Sequence, residues 1–355
     1  MKVIFFMASL SQPRCIKRVC AFYESGYDVE VYGNTRGKYD INVYPGEIKV
    51  HNWGIAKSGS NYLNKFNKNY INIKNVIKNN STDIIYYAFA FDISLILFIL
   101  KKKYIYEISD LVYGYFNKVL RFIFKTVDKL LIAKSLFTVV TSEGFYKYLY
   151  PKGTTNVLIH PNKVNLSLCN VRRKISNFNI NSLRFAYVGA FRYPNTVFRF
   201  AEIIGRYYPQ HKFYFYGNSA LTPLVLELEK KYSNISYFGK FQSPQDLESI
   251  YDNIDIVVAC YDTTALNERV AEPNKLYEAI CFCKPIIVSS NTFLSNKVNQ
   301  MKVGFSIDAS KNEDIITFLE NLKKDELQKI STTEYNLSST DYIDNPQEII
   351  KLMKN

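Results

Sequence analysis

Short apolar runs alternate with amphipathic segments along most of the chain, which is the pattern of an α/β protein. The first such unit predicts a strand at residues 3–7, a helix at 14–25 and a second strand at 28–32. A strand, a helix and a strand in so short a stretch predict two parallel strands joined by a right-handed crossover. The same signal predicts further strands at 41–53, 83–90, 104–108, 137–141 and 156–160, and a polar helical stretch at 57–80.

The apolar periodicity fades over residues 161–181 and the same alternation then starts again. Strands are predicted at 183–188, 212–216, 235–238, 254–260, 286–288 and 304–307, and helices at 196–207, 221–231, 243–251, 313–324 and 346–353. We therefore expect an N-terminal domain at 1–165, a C-terminal domain at 166–340, and a C-terminal helix within 341–355 that packs back on the first domain. Two such domains would face each other across a cleft, where ligands usually bind.

The longest helical pattern, at residues 113–135, carries an apolar side and a row of cations. The apolar side consists of Val119, Phe122, Ile123, Val127, Leu130 and Leu131. The cations are Lys118, Arg121, Lys125 and Lys129, spaced by 3, 4 and 4 residues. Such a row is usually a solvated helix face, but with aromatic side chains nearby it also fits a surface that touches anionic lipid. The sequence leaves both interpretations open.

Composition narrows the class of protein and of partner. Of the 355 residues, 47% are hydrophobic, enough for two cores, and the net charge of +13 favours polyanionic partners. Because the cations are dispersed over both halves and no recognition module appears, nucleic acid is not expected. The longest apolar run, at 93–100, is too short to span a bilayer. Cys260 and Cys283, at apolar positions of a predicted strand and helix, fit reduced, buried thiols. We expect a cytoplasmic protein, with peripheral attachment to the inner face of the membrane as the alternative.

The segment with the clearest candidate chemistry is Glu-Pro-Asn-Lys-Leu-Tyr-Glu-Ala-Ile-Cys-Phe-Cys-Lys-Pro-Ile-Ile-Val-Ser, residues 272–289. Pro273 suits the first turn of a helix, and Lys284-Pro285 ends it. A helix N-terminus at the carboxyl edge of a parallel sheet is where phosphates bind. There, Lys275 could contact a diphosphate and Glu278 could accept hydrogen bonds from a ribose diol. By spacing alone, the same pair is more often a surface ion pair.

Several other site types are absent or weak in the sequence. The loop after the first strand lacks G-x-G-x-x-G, and no G-x-x-x-x-G-K-[ST] occurs, which argues against nicotinamide, flavin and P-loop enzymes. The three histidines are isolated and no cluster of acidic residues suggests a metal site. Asp110 follows the predicted strand 104–108, a position where an α/β fold exposes site residues, although at a single position an N-cap or turn residue is the more common explanation.

At this point the sequence resembles GT-B fold glycosyltransferases of the retaining, group 1 (family 4) type. Members carry P-N-K-hydrophobic-aromatic-E followed by G/C-K-P-V-I, and this chain has Pro-Asn-Lys-Leu-Tyr-Glu at 273–278 and Cys-Lys-Pro-Ile-Ile at 283–287. Weaker matches lie at 17–32, 141–145, 188–192, 215–217 and 303–308. The resemblance therefore covers nearly the whole chain, and its specific part is 273–289.

The resemblance implies two Rossmann-like domains facing each other across a cleft. The first would bind a glycan or lipid-diphosphate-linked acceptor and the second a UDP- or GDP-sugar, without a metal or other cofactor. The residues implied in nucleotide-sugar binding are Gly189, Arg192, Glu272, Asn274, Lys275, Leu276 and Glu278. The residues implied in catalysis are Lys275 and Arg192 on the diphosphate, with Asp110 on the acceptor side. The expected function is sugar transfer in capsule or O-antigen synthesis.

The chain also departs from the pattern of that family. Many members have a glutamate eight positions before the one matching Glu278, where this chain has Val270, and Glu268 and Glu272 are the candidate substitutes. Many carry a histidine where this chain has Ser109-Asp110, and Arg199 is the candidate for a second cation after Arg192. These departures motivate a second hypothesis, a non-catalytic scaffold that binds nucleotide or glycan in a polysaccharide assembly complex. A sugar epimerase on the same fold would need a carboxylate pair, which the sequence does not display.

Overall fold

The structure is a computed structural model, and it describes residues 1–35, 44–55, 62–80 and 83–354. The first part of the predicted strand region 41–53 and of the predicted helical stretch 57–80 lies outside these residues. The chain divides into two compact units, Met1–Pro161 together with the segment from Asn345, and Asn162–Asp344. The second unit thus begins at residue 162 and ends at residue 344. The sequence predicts these boundaries at residues 166 and 340. None of the described helices is long and apolar enough to cross a membrane.

In the described part of the N-terminal unit, seven parallel strands form one sheet in the order β3-β2-β1-β4-β5-β6-β7. The strands are β1 Lys2–Met7, β2 Asp28–Thr35, β3 Lys49–Ile55, β4 Ile84–Ala88, β5 Tyr104–Ile108, β6 Thr138–Val140 and β7 Val157–Ile159. Strands β4, β5 and β6 are almost entirely buried, as expected when helices cover both faces of a parallel sheet. This explains why the apolar runs predicted them correctly.

The helices of this unit are α1 Pro13–Glu24, α2 Tyr62–Lys78, α3 Phe91–Ile99, α4 Lys118–Lys134 and α5 Glu143–Leu149. α1 starts with Pro13 at its first position, where a missing N–H costs nothing. α5 starts after Ser142, whose hydroxyl accepts a hydrogen bond from the Gly144 amide at 3.0 Å. The single long helix predicted at 113–135 is divided into a 3₁₀ turn at Val112–Tyr115 and α4.

The second unit repeats this architecture with six parallel strands in the order β10-β9-β8-β11-β12-β13. The strands are β8 Arg184–Val188, β9 Lys212–Tyr216, β10 Ile235–Gly239, β11 Ile256–Ala259, β12 Ile286–Ser289 and β13 Gly304–Ile307. The first helices are α6 Arg199–Tyr207, preceded by a π-helical turn at Pro194–Phe198, α7 Thr222–Lys231 and α8 Leu247–Asp252. The remaining helices are α9 Leu266–Val270, α10 Asn274–Cys281, α11 Phe293–Met301, α12 Asn312–Asn321, α13 Lys324–Asn336 and α14 Ser339–Tyr342.

The last helix returns the chain to the N-terminal unit. α15, Gln347–Leu352, buries Ile349 and Ile350 in the same apolar cluster as Val3 and Phe5 of β1. Glu348 adds a polar contact, with its Oε2 3.3 Å from Nδ1 of His160. Burial of two isoleucine side chains is the main stabilising contribution, since each is worth about 1.5–3 kcal/mol when fully buried.

α4 turns most of its apolar side to solvent. Val119, Phe122, Ile123 and Leu130, four of the six residues of the predicted apolar side, are 71%, 73%, 49% and 44% exposed. The buried side chains of α4 are instead Asp128, Leu131 and Ile132.

Two groups of contacts hold α4 in this orientation: hydrogen bonds to Asp128, and contacts of its cations with the rest of the chain. Asp128 accepts hydrogen bonds from the hydroxyls of Tyr106 (2.8 Å) and Tyr113 (2.7 Å), so a buried acid anchors the helix. The predicted cation row also packs within the chain. Nη2 of Arg121 donates to two carbonyl groups, and Lys125 and Lys129 lie over the rings of Tyr148 and Tyr150.

A half-buried arginine joins two helix ends in the second unit. Arg173 donates to the carbonyl groups of Ile280 (3.0 Å) and Cys281 (3.2 Å) in α10, and to those of Glu334 and Tyr335 (3.0 Å) in α13. Cationic groups are favourable at helix C-termini, where the carbonyl groups are unpaired. α13 itself was not predicted from the sequence, which placed one helix at 313–324.

The Glu334 side chain next to this arginine is completely buried, and in the described part of the chain neither carboxylate oxygen has a hydrogen-bond partner. Burial raises its pKa well above the usual 4.5, and the charges of Arg173 and Lys284 only partly oppose this. A carboxyl group whose pKa is raised by folding favours the native state below its unfolded pKa, and that contribution is lost as the pH rises through the folded pKa.

We therefore expect Glu334→Gln to remove a pH dependence of stability. Between about pH 5 and about pH 8, the unfolding free energy of the wild type should fall relative to that of the variant by about 1–3 kcal/mol. Denaturant titrations at the two pH values measure the difference. Glu326→Gln, an exposed glutamate on the same helix, is the control and should show no such change. Equal pH dependence in wild type and Glu334→Gln would contradict the expectation.

Candidate functional site

The sheet of the second unit reverses its winding direction between β8 and β11. β9 and β10 lie on one side of this pair, and β12 and β13 lie on the other. Loops that leave the carboxyl ends of the two central strands therefore diverge and leave a crevice, which is where open α/β sheets bind ligands. Residues Gly189 to Tyr193 follow β8, and Cys260 and Tyr261 follow β11.

Lys275, in the first turn of α10, lies in this crevice. Its Nζ is 3.5 Å from the Tyr261 hydroxyl and 4.8 Å from the centre of the Tyr187 ring. It also closely approaches Gly189, because a Cβ built on that glycine would be 2.9 Å from Nζ. The side chain of Lys275 thus connects the two loops of the switch point.

The environment of Lys275 is unusual for a lysine. Lys275 is only 7% exposed, and within the residues that the structure describes no carboxylate oxygen forms a salt bridge with its ammonium group. Its contacts are the π faces of Tyr187 and Tyr261, which attract cations but do not neutralise them. Burying an ammonium group without a counter-charge is unfavourable. The arrangement is therefore suited to an anionic ligand that supplies the missing charge.

Two glycines shape the loop against which Lys275 packs. Gly189 has φ +126° and Gly217, after β9, has φ +136°, both in the region that side chains disfavour. A Cβ on Gly217 would lie 2.0 Å from the Gly189 carbonyl oxygen, so the two loops approach backbone to backbone. The Gly189 amide donates to the Tyr216 carbonyl at 2.8 Å. Glycine at both positions lets the loop stay close to the sheet edge and leaves room for Lys275.

Arg192 lies on the same loop and is exposed. Burial raises the pKa of Tyr187, Tyr193 and Tyr261, and in each case the positive charge of Arg192 opposes the rise. Lys275 acts on Tyr187 in the same way, so both cations are close to one aromatic group. Tyr193, at φ +64°, stacks on Tyr261 with ring centres 4.6 Å apart and so joins the β8 loop to the β11 loop.

Glu278 lies one turn after Lys275 on α10 and is also buried. Its Oε2 accepts a hydrogen bond from the Tyr251 hydroxyl at 2.8 Å, and its Oε1 accepts one from the Asn274 side chain. Burial raises the pKa of Glu278, with the charge of Lys275 as the main opposing influence. Each carboxylate oxygen has a second lone pair, so further donors such as ribose hydroxyl groups can still be accepted.

Glu272 and Glu268, the two candidate substitutes for the carboxylate missing at Val270, have different surroundings. Glu272 forms a buried ion pair with Lys297 of α11, and Lys297 also donates to the Tyr277 hydroxyl at 3.0 Å. Glu268, in α9, is buried and its charge raises the pKa of both Tyr193 and Tyr261. Glu268 therefore belongs to the aromatic group around Lys275, whereas Glu272 is engaged elsewhere.

Three other predicted residues lie outside this group. The Leu276 side chain is fully buried in the apolar core, so it contributes packing. Arg199 donates to the Asn195 carbonyl (3.1 Å) and to the Asn312 side chain (2.8 Å) and is thus directed towards α12. Asp110 follows β5 in the N-terminal unit and is exposed.

The structure therefore brings together Gly189, Arg192, Asn274, Lys275 and Glu278 at one end of α10. Sequence reasoning missed Tyr187, Tyr193, Tyr251 and Tyr261, because tyrosine is abundant in this chain and a single tyrosine carries no motif. The position of Tyr261, two residues after the end of β11, was the one available signal. Across residues 1–35, 44–55, 62–80 and 83–354, no group of three or more His, Cys, Asp or Glu side chains is placed to hold a metal ion.

No protein-family model matches the sequence, and no curated protein matches it. Solved structures do match it over its whole length. HepE from Anabaena, solved with UDP and glucose, superposes with a TM-score of 0.72 at 14% identity over 100% of both chains. WaaG, described as a glycosyltransferase involved in lipopolysaccharide biosynthesis, gives a TM-score of 0.71 at 13% identity, covering 99% of this chain and 100% of its own.

A UDP-N-acetylglucosamine 2-epimerase also matches, with a TM-score of 0.64 at 12% identity over 99% of this chain and 94% of the epimerase. Likeness at this level of identity concerns the fold. The chain has the GT-B glycosyltransferase fold, and the prediction of two Rossmann-like domains is confirmed. Because an epimerase shares this fold, the activity has to be argued from the site.

Proposed function

We propose that the protein is a glycosyltransferase that uses a nucleotide diphosphate sugar as donor. The observation that carries the proposal is the buried Lys275 ammonium, which contacts aromatic rings, forms no salt bridge with a carboxylate of the described residues and lies at the switch point of the sheet. A diphosphate would supply the missing negative charge at the place where α/β folds bind phosphates. Arg192 provides a second cation on the adjoining loop.

The same two cations would serve the chemical step. When the bond between the sugar and the diphosphate breaks, negative charge develops on the leaving phosphate oxygen. Fixed positive charges next to that oxygen stabilise the transition state more than the ground state. Lys275 and Arg192 would fill this role, so the proposed mechanism does not require a metal ion. Glu278 would accept hydrogen bonds from the ribose hydroxyl groups, and Asn274 would orient the Glu278 carboxylate.

We propose the stereochemistry from the sequence resemblance, and the acceptor from the charge of the chain. Retention of the anomeric configuration rests on the resemblance of residues 273–289 to retaining enzymes. A glycan or lipid-diphosphate-linked acceptor in capsule or O-antigen synthesis would suit the positive net charge of the chain, and WaaG offers a precedent in lipopolysaccharide biosynthesis. Asp110 would act on the acceptor side. For the donor base we favour uridine, because HepE was solved with UDP and with UDP-glucose, and guanosine is the second candidate.

The alternative function is a non-catalytic scaffold that binds nucleotide or glycan in an assembly complex. Val270 stands where related enzymes carry a carboxylate, and Ser109-Asp110 stands where many carry a histidine. Glu268 weakens this alternative, because a buried carboxylate is present next to Tyr261 without occupying the usual position in the sequence.

A donor panel tests the proposal. The purified chain is incubated with UDP- and GDP-sugars, and calorimetry measures nucleotide binding while a coupled assay measures release of nucleoside diphosphate. We expect one nucleotide class to bind in the micromolar to millimolar range (about 1 μM to about 1 mM), with slow donor hydrolysis in the absence of acceptor.

Each alternative predicts a different result from this panel. Binding without any release would favour the scaffold, and an epimerised sugar among the products would favour the epimerase. No binding of any nucleotide by the wild type, or equal binding by Glu278→Ala, would contradict the proposal.

A further inference from the structure

An exposed apolar stripe runs along α4 on the side opposite to its buried residues. Val119, Phe122, Ile123, Thr126, Leu130 and Ala133 follow each other at helical spacing, and all six are exposed. Phe122 is the most exposed of the large side chains at 73%. Tyr115 in the turn before α4 and Leu136 just after it are exposed as well. A continuous apolar surface of this kind usually marks an interaction site.

The orientation of α4 is fixed by contacts on its other side. Asp128 is buried and accepts hydrogen bonds from Tyr106 and Tyr113, and Leu131 and Ile132 are buried next to it. Rotating the helix to bury the stripe would expose these two aliphatic side chains and break both hydrogen bonds. The exposure of the stripe is therefore a consequence of a well-anchored helix.

Cations border the stripe on both sides. Lys118, Lys125 and Lys129 follow one edge, and Lys134 lies at the other edge near the C-terminus. Lys125 and Lys129 are held in place over Tyr148 and Tyr150, with Nζ 3.8 Å and 5.3 Å from the ring centres. Asp128, the single acidic residue of α4, is buried on the opposite side and does not offset these charges at the surface.

We propose that α4 docks on an anionic lipid surface, with the apolar stripe inserted at the boundary between headgroups and acyl chains. An apolar face bordered by lysines is the composition of helices that lie in the plane of a membrane interface, and each lysine gains from anionic headgroups. Self-association is less favourable, because a symmetric contact through α4 would bring the same lysines of two copies together. The proposal does not depend on nucleotide binding.

Vesicle flotation with the full chain tests the proposal, using phosphatidylcholine vesicles with and without phosphatidylglycerol. The wild type should float with the anionic vesicles, and added salt or replacement by phosphatidylcholine alone should weaken binding about tenfold or more. The double variant Phe122→Ser, Ile123→Ser should bind about 10- to 100-fold more weakly, since two apolar side chains no longer enter the lipid. The double variant Leu224→Ser, Leu226→Ser, at exposed positions of α7, is the matched control and should bind like the wild type.

A second readout does not depend on how the serine variant folds. In Phe122→Trp the indole emission should move to shorter wavelength when anionic vesicles are added, and in Leu224→Trp it should not. Lack of flotation by the wild type, or equal flotation of the α4 serine variant, would overturn the proposal. If the wild type is a dimer in analytical ultracentrifugation, the α4 serine variant is a monomer and the wild type does not bind lipid, the stripe is assigned to self-association instead.

Discussion

Replacing Lys275 with methionine is expected to reduce donor turnover by about 10²- to 10³-fold, the loss measured when one preorganised group that stabilises transition-state charge is removed. Methionine keeps the length and apolar character of the stem between Tyr187 and Gly189 but removes the charge. Affinity for the nucleoside diphosphate should fall in parallel, because the ammonium group is proposed to contact the diphosphate in the ground state as well. Turnover of the donor and calorimetry with UDP and GDP measure the two effects.

The stability of the same variant separates loss of function from loss of fold. A buried ammonium group without a carboxylate partner is unfavourable in the free protein, so Lys275→Met should unfold at the same temperature as the wild type or higher. Lys284→Met is the matched control, since Lys284 is also a buried lysine, at the other end of α10, where burial lowers its pKa. Lys284→Met should leave donor turnover near the wild-type value. Turnover by Lys275→Met close to that of the wild type would contradict the assigned role of Lys275.

The strands and the position of α10 could be predicted from the sequence because their signals are local. β4, β5, β11 and β12 are short, almost fully buried apolar runs, and Pro273 and Pro285 mark the two ends of the α10 segment. The helical repeat was sufficient to predict that Lys275 and Glu278 lie near each other at a helix N-terminus. The GT-B fold is implied by the resemblance of residues 273–289 to a known family, and not by these local signals.

The surroundings of each side chain could not be predicted, because they depend on residues distant in sequence. Hydrophobic periodicity predicts which residues form the apolar side of α4, but it does not predict that most of that side is exposed. Asp128 is buried instead, because Tyr106 and Tyr113 supply its hydrogen bonds. Glu272 and Glu268 were equivalent candidates until Lys297 was found paired with Glu272. A polar residue can occupy a core position when its partners are in place, and those partners carry no local sequence pattern.

The buried charge cluster of the N-terminal unit should be the most sensitive point for stability. Glu107 of β5 is completely buried, and its Oε2 accepts from Nε of Arg18 at 3.1 Å and from the Tyr87 hydroxyl, while Nε of Arg14 lies 3.2 Å from Oε1. Glu107→Gln would leave the Arg18 guanidinium buried without its counter-charge. We expect the unfolding free energy to fall by about 3–5 kcal/mol, to be measured by denaturant titration.

The pH dependence and two control variants make this expectation specific to a buried charge. Burial alone would raise the pKa of Glu107, but Arg18, Arg14 and the hydrogen bonds together hold this pKa below its usual value of 4.5. The ionised carboxylate therefore stabilises the fold above pH 4.5, and this stabilisation is lost as the pH falls through the folded pKa. The Glu107→Gln variant should not lose this stability at acid pH.

The Glu143→Ala variant is the exposed control. It breaks an ion pair with Lys147 at the surface, and its unfolding free energy should fall by only about 0–1 kcal/mol. The triple variant Glu107→Leu, Arg14→Met, Arg18→Met should recover much of the loss, because apolar groups of similar volume replace a buried charge cluster at little cost. A single Glu107→Gln variant as stable as the wild type would show instead that the arginines are solvated.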